Sequence, residues 1–449
     1  MRIPLRIATG AMAAVGVVPA AMAQLSFQTE LLIQDTMFNN PVSVAVDPDG
    51  AVHLAYTSQF STDSTSKEVW YATNATGDWE YNQITNNNVR EEFPYLMIDS
   101  SGVLHLTFHT GFPDSGPPGN QVRYTNSAIR PLIEAGEADL INISPDNVSY
   151  ILPKIDVDAD GVVHFAFQTQ RFGGPRNDIV YTTWDAVNGV GPLVFLTNNS
   201  AIENREPAIA VGPDGVVHIA YEEGNGVFAN PLVYQNNDTP TGDFQTVGTG
   251  LFVNVARVGI LADSTGKVTI GFRNDDTFAI IESNGAGFTP MQDLTARGQF
   301  RAAFYDKFAL GPDDKRYFAF CHNIASLGQP GVYLIAETEN GFTEPIRMEG
   351  NAPQSNVSAS VSVGQNGTVA VGYTFSDFRT TVVADLYIAI SDDDACIADL
   401  NGDGVVDADD FFLFLQLFAA GDMRADINSD GVIDADDFFA YLTLFAQGC

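Results

Sequence analysis

The sequence predicts an all-β, seven-bladed β-propeller followed by a small α-helical module built on a duplicated acidic loop. Three observations predict it. A strand–turn–strand unit recurs seven times along residues 41–373. Each copy is followed by a third alternating strand and usually a fourth. The segment 399–449 then holds two loops rich in Asp, each running into an apolar stretch of helical length.

The repeat is clearest in PVSVAVDPDGAVHLAY (41–56), FPYLMIDSSGVLHLTF (93–108), LPKIDVDADGVVHFAF (152–167) and EPAIAVGPDGVVHIAY (206–221). Weaker copies span 255–272, 305–320 and 358–373, and the aligned turns start at 47, 99, 158, 212, 263, 311 and 364. Val42, Val44 and Val46 alternate into the first turn, and Val52, Leu54 and Tyr56 alternate out of it. Period-two alternation marks half-buried strands, and Asp, Pro, Ser and Gly between them accept turn geometry at little cost. Third strands follow as EVWYATN (68–74), QVRYTNS (121–127), DIVYTTW (178–184) and PLVYQNN (231–237), with later versions FAIIESN, VYLIAET and DLYIAIS. Four strands per unit at about fifty residues is the signature of a propeller blade. The last unit lacks a fourth strand, and SFQTELLI (26–33) is spare, so it is expected to close blade seven and remove an exposed edge.

At the N-terminus, Arg2 and Arg6 precede an apolar run, Ile7 to Val18, and Ala21-Met22-Ala23 offers a small-x-small cleavage site. This reads as a secretory signal peptide over 1–23, leaving a secreted chain that is extracellular or at the cell surface. No segment has the ~20 apolar residues that a transmembrane helix needs. The expected organisation is a propeller over 24–391, a short acidic linker at 392–398 and the helical module at 399–449.

The net charge is −35, from 56 acidic and 21 basic residues, which argues against nucleic acid as a partner. Hydrophobic content of 45% excludes global disorder. Cys396 and Cys449 bracket the module and form its natural disulfide pair, while Cys321 reads as a buried thiol.

The duplicated loop has the oxygen pattern a hard cation wants. Asp399, Asn401, Asp403, the Val405 carbonyl, Asp407 and Asp410 occupy positions 1, 3, 5, 7, 9 and 12 of the first loop. Asp426, Asn428, Asp430, Val432, Asp434 and Asp437 repeat them in the second. Two Ca2+ ions are the expected cofactors. Helices follow at 411–421 and 438–448, with Phe411, Leu415 and Phe418, and Phe438, Leu442 and Phe445, on their apolar faces.

Tandem loops with Asp at position 12 resemble dockerins of type I, a variation on the EF-hand. Cys396 and the terminal Gly448-Cys449 resemble the GC-terminated modules of planctomycete-type exported proteins. The resemblance implies attachment to a cohesin-like or other cell-surface anchor protein, chosen near loop positions 10 and 11, here Ala408-Asp409 and Ala435-Asp436. The repeated turn motif over 26–391 resembles sialidase-like, BNR-type repeat propellers, which implies a carbohydrate ligand.

In a propeller the turn between strands one and two lies on one face. The start of strand one and the end of strand two lie on the other, called here the mouth. Mouth positions carry Arg90-Glu91-Glu92, Arg205-Glu206, Arg257, Arg301, His109, Arg171, Glu222-Glu223, Arg273 with Asp275-Asp276, and His322. Arg beside carboxylates suits an acidic sugar, and a carboxyl pair suits glycosidic cleavage. The candidate catalytic set is Arg205, Glu222, Arg273, Arg301 and Tyr305, the last compared with the tyrosine nucleophile of sialidases. If an enzyme, the chain is a glycoside hydrolase of sialidase type or a lyase acting on polysaccharide. The alternative is a non-enzymatic adhesion or structural cell-surface propeller, because no S-x-D-x-G-x-x-W box is present. His53, His105, His164 and His218 repeat at one place in four units and are therefore read as structural.

Overall fold

A computed structural model of the chain describes residues 25, 27–33, 41–59, 67–111, 119–145, 148–170, 177–198, 202–224, 231–248, 255–274, 277–285, 287–296, 307–322, 331–338, 341–348, 356–376, 384–391, 398, 406–420, 425, 427 and 433–447. Two compact units divide the chain: Phe27–Ser391, and one containing Asp392–Cys449.

The larger unit is seven antiparallel sheets of four or five strands. Their innermost strands are Val42–Val46, Arg90–Ile98, Ser149–Val157, Glu203–Val211, Val255–Ala262, Phe308–Leu310 and Asn356–Val363. Each contacts its neighbours in sequence, and Asn356–Val363 contacts Val42–Val46, so the sheets form a closed ring of seven blades. The N-terminal strand Phe27–Ile33 pairs with Ala384–Ser391 as the outer edge of blade seven, as the spare strand requires.

Ring closure is polar on the inside and apolar between blades. From Ser358 on, every second residue of the blade-seven inner strand is Ser. Ser358, Ser360 and Ser362 accept the amides of Val42, Val44 and Val46 at 3.1, 3.0 and 3.1 Å. These bonds satisfy backbone donors of the first blade that no strand pairs. Apolar clusters fill the spaces between neighbouring blades; Val44, Leu54 and Tyr56 meet Leu386 and Ile388 across the seam of blades seven and one. Gly259 marks the tightest such packing: a Cβ there would stand 2.2 Å from the Phe308 ring of blade six.

The repeated turn has one construction. Asp47 Oδ1 accepts the amides of Asp49 and Ala51 at 3.0 and 2.8 Å, and Asp99, Asp158 and Asp263 do the same in their blades. The fourth turn residue is left-handed, as in Gly50 at φ +90°. Blade six has Asp314 there at φ +60°, and its carboxylate accepts the Ser264 amide of blade five at 2.9 Å.

The four repeated histidines are buried struts. His53, His105, His164 and His218 each place Nδ1 2.7 Å from the hydroxyl of Tyr71, Tyr124, Tyr181 or Tyr234 on the third strand. In the first three, Nε2 meets the turn Asp at 3.3, 3.0 and 3.1 Å. Burial holds all four imidazoles below their ordinary pKa, so each is neutral. In those three a neutral ring then donates from Nε2 to Asp and accepts the Tyr proton at Nδ1. Blade four has Gly212 at the Asp position, and only the tyrosine half of the strut is kept.

In the smaller unit, helices Ala408–Ala420 and Ala435–Gln447 pack on each other. They begin three residues earlier than the apolar runs imply, because each loop's last Asp residues start the helix. Asp407 Oδ1 accepts the Asp409 amide at 2.9 Å while Asp410 Oδ2 accepts the Asp407 amide at 3.0 Å, a reciprocal cap. The expected apolar faces flank the seam and do not centre it. Phe414 and Tyr441 stack at its middle with centroids 4.0 Å apart, and Phe411, Leu415, Phe418, Phe438 and Phe445 surround them. A helix apolar on nearly every side does not declare its face in sequence; the flat aromatic contact selects it. Tyr441 then donates to the Ala398 carbonyl at 3.0 Å, tying the second helix to the start of the module.

Candidate functional site

The mouth face is shaped by a bulge that the sequence reading did not anticipate. In blades two to five the inner-strand register shifts near its start, at Glu92/Tyr95, Ile151/Lys154, Arg205/Ala208 and Ala256/Gly259. Phe93, Leu152, Glu206 and Arg257 sit in these bulges with φ between +51° and +59°. Left-handed backbone is costly for such side chains and persists only where surroundings fix it. Pro94, Pro153 and Pro207 follow three of the four. Proline inside a strand is confined to edges and bulges, so this signal was readable.

The surroundings that fix the bulges come from the previous blade. After three of the four repeated histidines, His105, His164 and His218, the residue four places on accepts the amide of the next blade's left-handed residue. His109 Nδ1 takes Leu152 N–H at 3.4 Å, Gln168 Oε1 takes Glu206 N–H at 2.7 Å and Glu222 Oε1 takes Arg257 N–H at 3.0 Å. Glu222 therefore occupies a repeated structural position.

Between blades four and five the mouth carries a charged cluster. Arg205 and Glu222 face each other in register, and Arg205 bonds Glu203 at 2.5 Å. The Arg257 guanidinium donates to Glu206. Burial and the adjacent Glu206 push the Glu222 carboxyl up to about 8, so it is protonated and hydrogen-bonds Glu206. Two carboxyls in direct contact lack the separation of ~5 Å or more that glycosidic acid–nucleophile pairs use. Arg273 lies opposite Ala256 in blade five, next to Arg257 in the strand pairing. Arg301 and Tyr305 lie outside the described residues, as does Arg171.

Blade two supplies a second cluster. Glu92 accepts Lys67 at 2.8 Å and Arg90 at 2.7 Å. Burial pushes its carboxyl upward, but Lys67, His109 and Arg90 together hold it below the ordinary range. His109 is fully enclosed, stacks on Phe93 at 5.2 Å, and is driven down to about 4 by burial. It is a neutral packing group and not a surface acid.

The floor of the mouth was not legible in the sequence. A channel of about 660 Å³ runs along the propeller axis between the inner strands, lined by residues such as Ile155, Ile209, Ile260, Phe308 and Val361. Its mouth end is closed by Tyr95, Lys154 and Lys307. Lys154 and Lys307 stand 4.5 and 4.9 Å from the centre of the Tyr95 ring. Lys307 reaches from blade six past blade seven to donate to the Val44 carbonyl of blade one, at 2.8 Å, and to the Leu96 carbonyl of blade two. Burial, with Lys154 nearby, lowers its ammonium to about 7. Asp156 accepts the Val211 amide of blade four at 2.7 Å and its carboxyl is raised to about 6 by burial.

In the helical unit, Asp410 and Asp437, the closing residues of the two loops, are wholly buried at the helix starts. Asp407 and Asp434 stand beside them as helix caps. Asp399, Asn401, Asp403, Val405, Asp426, Asn428, Asp430 and Val432 lie outside the described residues, as do Cys396 and Cys449. Buried carboxylates at the end of each loop are the donor chemistry that Ca2+ takes. Among the described residues no group of three or more His, Cys, Asp or Glu is arranged to hold a metal, and no helix is long and apolar enough to cross a membrane. Cys321 is buried.

No protein-family profile matches the chain, and no curated protein matches it. Among solved structures, a Dyadobacter fermentans protein of unknown function aligns with a TM-score of 0.50 and 10% identity, over 81% of this chain and 97% of its own. An ulvan lyase of a polysaccharide lyase family, bound to a -[GlcA(1-4)Rha3S]- unit, aligns with a TM-score of 0.53 and 12% identity over 80% and 95%. A further polysaccharide lyase aligns with a TM-score of 0.50 and 10% identity over 78% and 89%. At these identities the likeness is one of fold: the larger unit is a propeller of the kind these proteins have.

Proposed function

We propose that this is an exported propeller that binds or degrades an acidic polysaccharide at its mouth, held at the cell surface through a calcium-dependent, dockerin-like module. The observation that carries the reading is a concentration of cations at one end of the ring. Lys67, Arg90, Arg205 and Arg257 sit at the mouth, paired with Glu92, Glu203 and Glu206, with Lys154 and Lys307 beneath them, in a chain of net charge −35. Cations gathered against the charge of the whole molecule draw an anionic ligand to one place. Guanidinium groups match carboxylate and sulfate geometry. The fold shared with a lyase bound to a sulfated, uronate-containing unit supports the same ligand class.

Binding without cleavage is the second reading. Glu222 and His109, both mouth positions, are engaged in joining blades. A panel of uronate and sulfated polysaccharides, assayed for binding and for released reducing or unsaturated ends, separates the two. Release that is lost in Arg205→Ala identifies an enzyme, and retention without release identifies a lectin-like or adhesion propeller. Absence of both for every acidic glycan contradicts the proposal.

For the module, two Ca2+ ions would be held by the loop residues from Asp399 to Asp410 and from Asp426 to Asp437. Its partner would be a cohesin-like or other surface anchor protein. Calorimetric titration of the chelated chain with Ca2+ tests this, with two sites per chain expected and none contradicting it.

A further inference from the structure

The mouth carboxylates Glu92, Glu203 and Glu206 each have a cation. Three carboxyls at the seam of blades one and two do not. Glu68 stands in the third strand of blade one, Glu91 in the inner strand of blade two, and Glu137 in the short helix before that blade's last strand. Among the described residues none of the three forms an ion pair, and Lys67 and Arg90 nearby pair with Glu92. Glu68 and Glu91 are 5% and 1% exposed and touch across the seam. Glu68 Oε1 accepts the Asn87 backbone amide at 3.2 Å, while its buried Oε2 has no hydrogen-bond partner. Glu91 Oε1 accepts the Asn87 side chain at 3.1 Å, and its Oε2 has only the Thr85 hydroxyl, at 3.4 Å. Two carboxyls pressed together away from water share a proton or take a cation.

We propose that Glu68 Oε2, Glu91 Oε2 and Thr85 Oγ1 form a Ca2+ site at this seam. All three donors are oxygen, which selects a hard cation, and water completes its shell. Thr85 Oγ1 accepts the Val69 amide at 2.9 Å and keeps a lone pair for the ion. The two carboxylates neutralise it. Glu137 is exposed, and the Asn87 amide group bridges it to Glu91, so it draws the ion in without ligating it. The ion ties the end of blade one to the strand that carries Arg90 and Glu92, beside the left-handed Phe93, and so braces the mouth. So sparse a donor set gives a Kd on the order of 10⁻⁴–10⁻³ M. The site is separate from the two ions of the helical module and does not rest on them.

Equilibrium dialysis of the chelated full chain against CaCl2, raised to several millimolar, counts the bound ions. A chain with Asp399→Ala, Asp403→Ala, Asp426→Ala and Asp430→Ala loses two carboxylates from each module loop and is expected to keep one ion. Adding Glu68→Gln and Glu91→Gln, which preserve the shape of both side chains, is expected to remove it. In the loop-disabled chain Ca2+ should also raise the melting temperature of the strand signal, and with both Gln it should not. Should the Gln pair fail to fold, Glu68→Gln alone is expected to weaken the site about tenfold, the worth of one charged ligand. A module that binds no Ca2+ would leave this one ion in the unaltered chain, so the two readings fail separately. No ion in the loop-disabled chain, or an ion held equally well after either Gln change with the strand signal intact, overturns the proposal.

Discussion

Glu222 Oε1 lies 3.0 Å from the backbone nitrogen of Arg257, so a carboxyl of blade four holds the left-handed residue of blade five. Its bond is one of three equivalent latches, with His109 to Leu152 and Gln168 to Glu206. Glu222→Gln keeps an acceptor oxygen and is expected to fold with near-normal stability. Glu222→Ala leaves the Arg257 amide without that acceptor and costs about 1–3 kcal/mol. Denaturant unfolding of both variants measures the difference; equal losses in the two would refute the latch.

The pH dependence of stability follows from the same carboxyl and from Glu91. Burial, with Glu206 beside one and Glu68 beside the other, raises Glu222 to about 8 and Glu91 to about 9, from 4.5. A carboxyl whose folded pKa exceeds its unfolded value contributes stability that is full below 4.5 and is lost as pH rises through 8 to 9. Glu91→Gln is expected to narrow the gap in Tm between pH 5 and pH 9. His109, driven down to about 4, acts in the opposite sense, and its contribution is lost as pH falls from 6.5 through 4. A Glu91→Gln profile with the wild-type slope above pH 5 would contradict this origin.

The histidine struts predict a graded series. His105 joins Tyr124 to Asp99, whereas His218 has the tyrosine bond with Gly212 in place of Asp at the first turn position. His105→Ala is expected to cost more than His218→Ala, by about 1 kcal/mol, the net worth of one buried hydrogen bond. Chemical denaturation compares them, and the reverse order would mean that the turn Asp adds nothing.

Chelation should unfold the helical unit alone. Asp410 and Asp437 are buried carboxylates at the helix starts, and on the proposed reading their acidic loops repel without a cation. Chelator is expected to remove the near-ultraviolet signal of the Phe414–Tyr441 stack and the helical far-ultraviolet signal. Strand content should be unchanged. Retention of both signals in chelator would show that the module folds without metal.

Much of the ring was readable because it is repetitive. Val42-Val44-Val46 and its copies state the strands, Asp47 and its equivalents state the turns, and the spare segment at Phe27–Ile33 states the closure. The four histidines were readable as structural for the same reason. The bulges at Phe93, Leu152, Glu206 and Arg257 escaped notice although three are followed by Pro. The neck could not be read, because Tyr95, Lys154 and Lys307 meet only when blades two, three and six close around one axis. Nor could the helix seam, where Phe411 and Phe414 are equally apolar and only packing distinguishes them.

The central claim is that the mouth binds an acidic polysaccharide through its cations. The most direct measurement is the affinity of the full chain for a uronate-rich polysaccharide, with and without Arg205→Ala and Arg257→Ala, at two salt concentrations. The account predicts binding that weakens with salt and falls about tenfold in each variant. Binding that neither substitution changes, or no binding to any acidic glycan, would contradict it.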